Sequence, residues 1–274
     1  LSVSRALIGV ALGVAVQACG GLPCPTIEHT DAHQALRYHE SMRTRLTSIR
    51  AEARVDQRGN EGRVRGTVLM FVETPDHVRF DAMTQFGPAA ILTSDGVDFA
   101  LTDLRENRYL FGPACPANIA RLLGIPMSAH DTTAFLLGRT PVIETDDTSI
   151  ECIGDATYRI ELRGTDGRRQ EIELQVREAD LKAPLLEQRL RLLRSELYDK
   201  HGRTLWRATY DDYRVIPLGE MGVAMPYLVQ IEQPQIGSDT LVRFEQITVN
   251  PEIPDAVFTQ SARAGVSQEH VTCE

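Results

Sequence analysis

Lysine is nearly absent from this 274-residue chain: Lys182 and Lys200 are the only two, so almost all of its 29 basic residues are arginines. Acidic residues outnumber them at 38, for a formal net charge of −9. A chain of that sign lacks the cationic face that releases counterions from a phosphate backbone, which argues against a nucleic-acid partner. Aromatics are sparse at 6%, with Trp206 the single tryptophan. No apolar run approaches the roughly 20 residues that a bilayer-spanning helix needs, which excludes a polytopic membrane protein. Signatures of catalysis are missing as well. There is no Gly-x-Ser-x-Gly elbow, no His-Glu-x-x-His and no phosphate-binding glycine loop. Without a Cys-x-x-Cys pair, zinc-ribbon and thioredoxin readings have no support. His29 and His33 have metal-ligand spacing but no third ligand, and the pairs Asp146-Asp147 and Asp211-Asp212 fall in a loop and at a strand end. We therefore expect no enzyme, no cofactor and no metal site.

What is present is a globular composition, 42% hydrophobic and 24% charged, behind an unusual start. Arg5 precedes an unbroken apolar stretch, Ala6–Val16, too short to span a bilayer but suited to the core of a signal peptide. It runs into Val16-Gln17-Ala18-Cys19, which resembles a bacterial lipobox. Residues 1–18 then read as a lipoprotein signal peptide, Cys19 as the lipidated residue and 19–30, rich in Pro and Gly, as a tether. Gly20 follows Cys19 where an inner-membrane retention signal would place Asp, so the expected location is the outer membrane, facing the periplasm. Four cysteines remain: Cys24, Cys115, Cys152 and Cys273. An even number in an oxidising compartment implies two disulfides, with three connectivities open. We prefer Cys115–Cys152 with Cys24–Cys273, the latter tying the two ends of the chain together.

Along the chain, Asp31 stands as an N-cap before a helical stripe of Ala32, Ala35, Leu36, His39, Met42 and Leu46, with Arg37, Glu40, Arg43 and Arg45 opposite. From Ile49 the period changes to two, and strands separated by turns continue to Phe111. Pro116–Leu123 reads as a short helix stopped by Gly124, and Asp131 as the cap of another ending at Gly138. Strands then resume to Val249. Residues 188–199 fit a helix as well as a strand; we read a strand, because Lys200–Arg203 looks like a hairpin turn. The sum is mainly β (α+β), ten or eleven strands with two or three helices in one domain.

Three stretches resemble the LolA/LolB-like lipoprotein carrier superfamily, closest to its LolB-like outer-membrane branch. They are Thr74–Phe80 with Phe86-Gly87-Pro88 and Ile91–Gly96, then Leu122–Pro126 with Phe135–Gly138, and the tail Ile247–Phe258 with its Asn-Pro and Ile-Pro-Asp-x-x-Phe. The resemblance implies an incomplete, strongly curved antiparallel β-barrel of about 10–11 strands with covering helices, spanning residues 31–262 before a tail at 263–274. It implies a function in binding acyl chains of lipoproteins or lipids, in lipoprotein localisation and outer-membrane biogenesis, with a periplasmic carrier as a possible partner. A periplasmic sensor of the RseB/MucB-like type and an envelope-lipid-modifying enzyme are the alternatives. From the residues themselves, Met70, Phe80, Phe99, Tyr158, Ile160, Leu174, Trp206, Tyr210, Tyr227, Val229 and Ile231 face inward, to be covered either by ligand or by one another. Phe86, with Gly87 and Pro88, occupies a turn that should be polar. Either it folds back onto the core, or it projects from the rim as a loop that inserts into cargo or membrane.

Overall fold

A computed structural model describes residues 21–273 other than Glu61 and Glu220. Asp31 caps the first helix, accepting from the Gln34 N–H at 2.9 Å, and α1 runs Ala32–Arg43. The period-two stretches become β1 (Ser48–Gly59), β2 (Gly62–Glu73), β3 (His77–Thr84), β4 (Gly87–Ser94), β5 (Asp98–Asp103) and β6 (Arg108–Pro113). Next comes α2 (Pro116–Leu123), with Pro in its first turn and Gly124 at φ 64° closing it. The following α3 (Ala129–Leu136) is capped by the Ser128 hydroxyl, which accepts from Asp131 N at 3.0 Å. Asp131, expected as the cap, sits instead in the first turn, where its charge favours the positive helix end. The chain continues with β7 (Thr148–Cys152), β8 (Thr157–Arg163), β9 (Arg169–Val176), β10 (Leu190–Tyr198), β11 (Thr204–Leu218), β12 (Met221–Gln233), β13 (Ser238–Val249) and β14 (Ser267–His270). The ambiguous 188–199 segment is thus a strand. Among the described residues no helix is long and apolar enough to cross a membrane.

Among the described residues the fourteen strands belong to one sheet, ordered β14-β6-β5-β4-β3-β2-β1-β13-β12-β11-β10-β9-β8-β7. Every pair is antiparallel except β14 with β6. Pairing of β1 with β13 joins the two meanders, while β7 and β14 stay apart as edges, so the curved sheet does not close into a barrel. This is the expected architecture with three or four more strands than expected. The short β7 offers only Ile150 as an apolar signal, and β14 is exposed along its whole length, so neither carries a hydrophobic alternation to be read. Since neighbouring strands alternate in direction, their turns fall on two rims. One rim carries the turns after β1, β3, β5, β8, β10 and β12; the other carries those after β2, β4, β7, β9 and β11. The helices cover the sheet, with α3 against β2 and β3, α2 against β4 and α1 toward β7.

Three expectations are corrected. Both disulfides form, but as Cys24–Cys152 and Cys115–Cys273, not as Cys115–Cys152 and Cys24–Cys273. The strand pairing explains this. Cys115 follows β6, and β14 runs parallel beside β6, which brings Cys273 to it. Residues 22–29 lie along the β7–β8 turn and the β9–β10 connection, with Leu22 N on Asp155 Oδ1, Thr26 N on the Leu181 carbonyl and Gln188 Nε2 on the Ile27 carbonyl. The stretch read as a tether is therefore packed from Leu22 onward. Arg43, placed by sequence on the solvent face of α1, is only 4% exposed. It continues the four-residue stripe of Ala35 and His39 into the core.

Candidate functional site

The inward residues fill the concave side of the sheet with one another. Met70, Phe80, Phe99, Tyr158, Ile160, Leu174, Tyr210, Tyr227, Val229 and Ile231 are all buried in the main core, and Trp206 packs half-buried against it, edge-on to Phe135 at 5.1 Å. They do not line a single open cavity. Ile91, Ala100, Tyr109 and Phe258 form a smaller layer on the other side, where Gln260 Nε2 donates to the Ile91 and Ala100 carbonyls at 3.0 and 3.3 Å.

An open cleft of about 480 Å³ remains between α1, α3, the strap 139–142 and the β2–β3 turn. Leu36, Pro75, Ala134, Pro141 and Val142 give it apolar walls, and His33, Arg37, Glu40 and His130 stand among them. Arg139 ties the strap down: its guanidinium donates to the Arg43 and Leu46 carbonyls at 2.7 and 3.0 Å and meets Glu40 at 3.2 Å, while its carbonyl accepts from Tyr210 Oη at 2.7 Å. Three residues of the lining carry buried polar atoms without a partner: His39 Nε2, Thr133 Oγ1 and Arg139 Nε. Buried polar atoms are normally paired, since each costs on the order of 1–3 kcal/mol when left unmade. Apolar walls with the polar side chains of His33, Arg37, Glu40 and His130 among them suit an amphiphile, a chain with a polar end. Sequence singled out His39 only as a core imidazole and gave no signal for Thr133 or Arg139, because their convergence depends on the strap folding back over α1.

Burial, with the Arg43 and Arg139 guanidiniums adding repulsion, holds His39 down from its ordinary 6.5 to about 3. The imidazole is thus neutral at physiological pH. Its folded pKa lies below the unfolded one, so the unfolded state takes up the proton first as pH falls. Stability from this site is complete above about pH 7 and is lost between roughly 6.5 and 3, amounting to about 3 kcal/mol by pH 4. His29, lowered by burial, acts in the same direction. His39→Leu should flatten this acid limb; urea midpoints at pH 7 and pH 4 check it, and an identical drop in both proteins would contradict it.

Phe86 is 91% exposed at the tip of the β3–β4 turn, so the core-packed alternative does not describe it. Its N–H donates to Thr84 Oγ1 at 3.2 Å, and Gly87 takes φ 112°, a backbone that other residues rarely adopt. Pro88 is exposed beside it, and Val64 is exposed on β2 at the same rim. Cys19 lies outside the described residues. Among those described, no three His, Cys, Asp or Glu side chains gather as a metal site.

A family model described as an uncharacterized protein matches residues 151–262. No curated protein matches the chain in sequence. Solved structures match it over most of its length. A domain named for outer-membrane lipoprotein sorting, from Vibrio parahaemolyticus, superposes with a TM-score of 0.51 at 13% identity, covering 83% of this chain and 97% of its own. A DUF1329 family protein from Desulfovibrio piger gives 0.54 at 15% identity, over 85% and 99% of the two chains. A LolA superfamily protein from Nitrosomonas europaea gives 0.48 at 16%, over 85% and 99%. At these identities the likeness is one of fold alone, and the chain shares its curved antiparallel sheet with the Vibrio parahaemolyticus and Desulfovibrio piger proteins.

Proposed function

We propose that this chain is a periplasm-facing lipoprotein of the outer membrane, anchored through Cys19, that holds an acyl chain of a lipoprotein or lipid in the cleft between α1 and α3 and serves lipoprotein localisation. The observation that carries the reading is that cleft: apolar walls with polar side chains among them, at the place where helices cover an open half-barrel. The reading is of a binding protein, not a catalyst. Phe86, with Gly87 and Pro88, is the contact for incoming cargo or its carrier. An aromatic side chain held in water at a turn tip has no role in folding that its exposure supports.

A fluorescent long-chain fatty acid titrated into delipidated protein tests this. Ala134→Trp would place an indole in the cleft from α3. Excluding even two methylenes, at about 0.8 kcal/mol each, weakens binding roughly ten-fold. Phe86→Glu should leave that binding and the Tm unchanged while slowing transfer of an acylated peptide. Unaltered binding by Ala134→Trp would remove the cleft as the acyl site.

A further inference from the structure

A second cleft, of about 280 Å³, lies between the end of α1 and the strands β9 to β12. Among the described residues its lining holds four guanidiniums, Arg43, Arg177, Arg189 and Arg191, and no carboxylate. In a chain of net charge −9, a lining of one positive sign is not a by-product of composition. Asp180 neutralises one of the four, holding Arg189 at 2.5 and 2.8 Å. The Arg43 N–H groups bond to carbonyls, which satisfies its donors and leaves its charge unbalanced. Among the described residues no carboxylate comes within 4.0 Å of Arg177 or Arg191. Arg191 packs 5.4 Å over the Tyr213 ring with its Nε buried and unpartnered. Burial, with the neighbouring Arg177 and Arg189 charges, lowers its pKa, and the nearby Asp180 carboxylate only partly opposes them. Glu178 and Glu187, with Lys182, are exposed on the same β9–β10 connection but outside the lining.

The pocket's place in the fold indicates where the anion comes from. It opens on the rim that carries the β7–β8, β9–β10 and β11–β12 turns, and the N-terminal segment lies on that rim through Cys24–Cys152, Leu22 on Asp155 and Thr26 on Leu181. From Gly21 back to Cys19 is two residues, at most about 7 Å of chain. Leu186 and Val215 stand 73% and 59% exposed at the same rim. Phe86 is on the opposite one. We propose that this rim rests on the bilayer and that the arginine pocket takes the phosphate of an anionic lipid headgroup, with Leu186 and Val215 entering the headgroup layer. The orientation rests on the anchor reading above; the pocket does not. Guanidinium forks match tetrahedral phosphate oxygens bidentately, and a bound phosphate would supply the countercharge that Arg43, Arg177 and Arg191 lack.

The test uses the full chain carrying Cys19→Ser, so that no acyl anchor contributes and a failure leaves the anchor and the acyl cleft standing. This protein should sediment with vesicles of phosphatidylglycerol in phosphatidylcholine, and less so as salt rises. Arg177→Gln/Arg191→Gln should bind roughly thirty-fold more weakly, each basic group near an anionic surface being worth about a factor of five. Arg177→Lys/Arg191→Lys, which keeps the charge but loses the forks, should fall between wild type and that variant. Arg168→Gln/Arg203→Gln, on the other rim, removes the same charge and should change it less than two-fold. Equal binding by wild type and Arg177→Gln/Arg191→Gln would overturn the proposal, as would equal binding to pure phosphatidylcholine. A thermal shift with inorganic phosphate but no vesicle binding would assign the pocket to free phosphate and overturn the membrane role.

Discussion

Replacing Arg43 by leucine should lower stability by about 3–5 kcal/mol, a drop in Tm of roughly 6–15 °C for a chain of this size. The guanidinium is buried where α1 meets the end of α3 and the β11–β12 hairpin. Its Nε and Nη2 donate to the Leu137 carbonyl at 3.1 and 2.5 Å, Nη1 donates to the Ala224 carbonyl at 2.9 Å, and Nη2 also meets Met225 Sδ at 3.2 Å. Gly138 sits against the same group, where any side chain would collide with Arg43 Nη2 at 2.7 Å. Leucine would relieve an unbalanced buried charge, which favours it, but would leave the buried Leu137 carbonyl and the part-buried Ala224 carbonyl without this donor. The second effect wins because a bond from a charged donor is worth about 1.5–3 kcal/mol and two carbonyls lose theirs together. Arg43→Lys keeps the charge and reaches one carbonyl at most, so it should fall between. Urea midpoints for the three proteins check the order; a leucine variant as stable as wild type would show that the guanidinium contributes no net tie.

Opening either disulfide should cost about 2–5 kcal/mol, because each closes a long loop: the paired cysteines are 128 residues apart in Cys24–Cys152 and 158 in Cys115–Cys273. The two losses differ in kind. Cys24→Ser/Cys152→Ser frees a segment that still has Thr26 on Leu181, Gln188 on Ile27 and His29 N on Tyr158 Oη at 3.1 Å, so residues 22–31 should loosen without leaving. Cys115→Ser/Cys273→Ser leaves β14, exposed along its length, held by its backbone bonds to β6, the Arg108–Glu269 ion pair at 2.7 Å, the Phe111–His270 contact and the buried Val271. Amide exchange at residues 267–270 should then rise, while β1 to β5 keep their protection. Non-reducing peptide mapping should recover the pairs 24–152 and 115–273 and no free thiol among the four. Recovery of 24 with 273 would contradict the strand order at both sheet edges.

How far the sequence could be read follows from which forces are local. The cap at Asp31, the proline and glycine bounding α2, and the alternation from Ile49 to Val72 each act within a few residues, and each reads directly. The curved sheet follows from that alternation, because a one-sided apolar meander has to roll its apolar face inward. Arg43 was legible in spacing yet misread by charge: it lies four residues past His39 and eight past Ala35, and only the carbonyls of Leu137 and Ala224, 94 and 181 residues away, make its burial tolerable. Cysteine pairing and the strand β14 likewise depend on distant chain. The inward face was identified correctly as a face, but neighbouring strands supply enough bulk to fill it, and the remaining opening comes from residues with no common pattern: Leu36, Thr133, Arg139 and Val142.

That opening is the centre of the functional reading, and photolabelling addresses it most directly. Delipidated protein would be mixed with a long-chain fatty acid bearing a diazirine near its middle, irradiated, digested and mapped by mass spectrometry. Label should concentrate on peptides containing residues 33–40 of α1 and 130–142 of α3 and the strap, and unlabelled fatty acid should compete it away. Label confined to other surfaces, such as the outer side of β5 and β6, or spread without competition, would contradict an acyl site between α1 and α3.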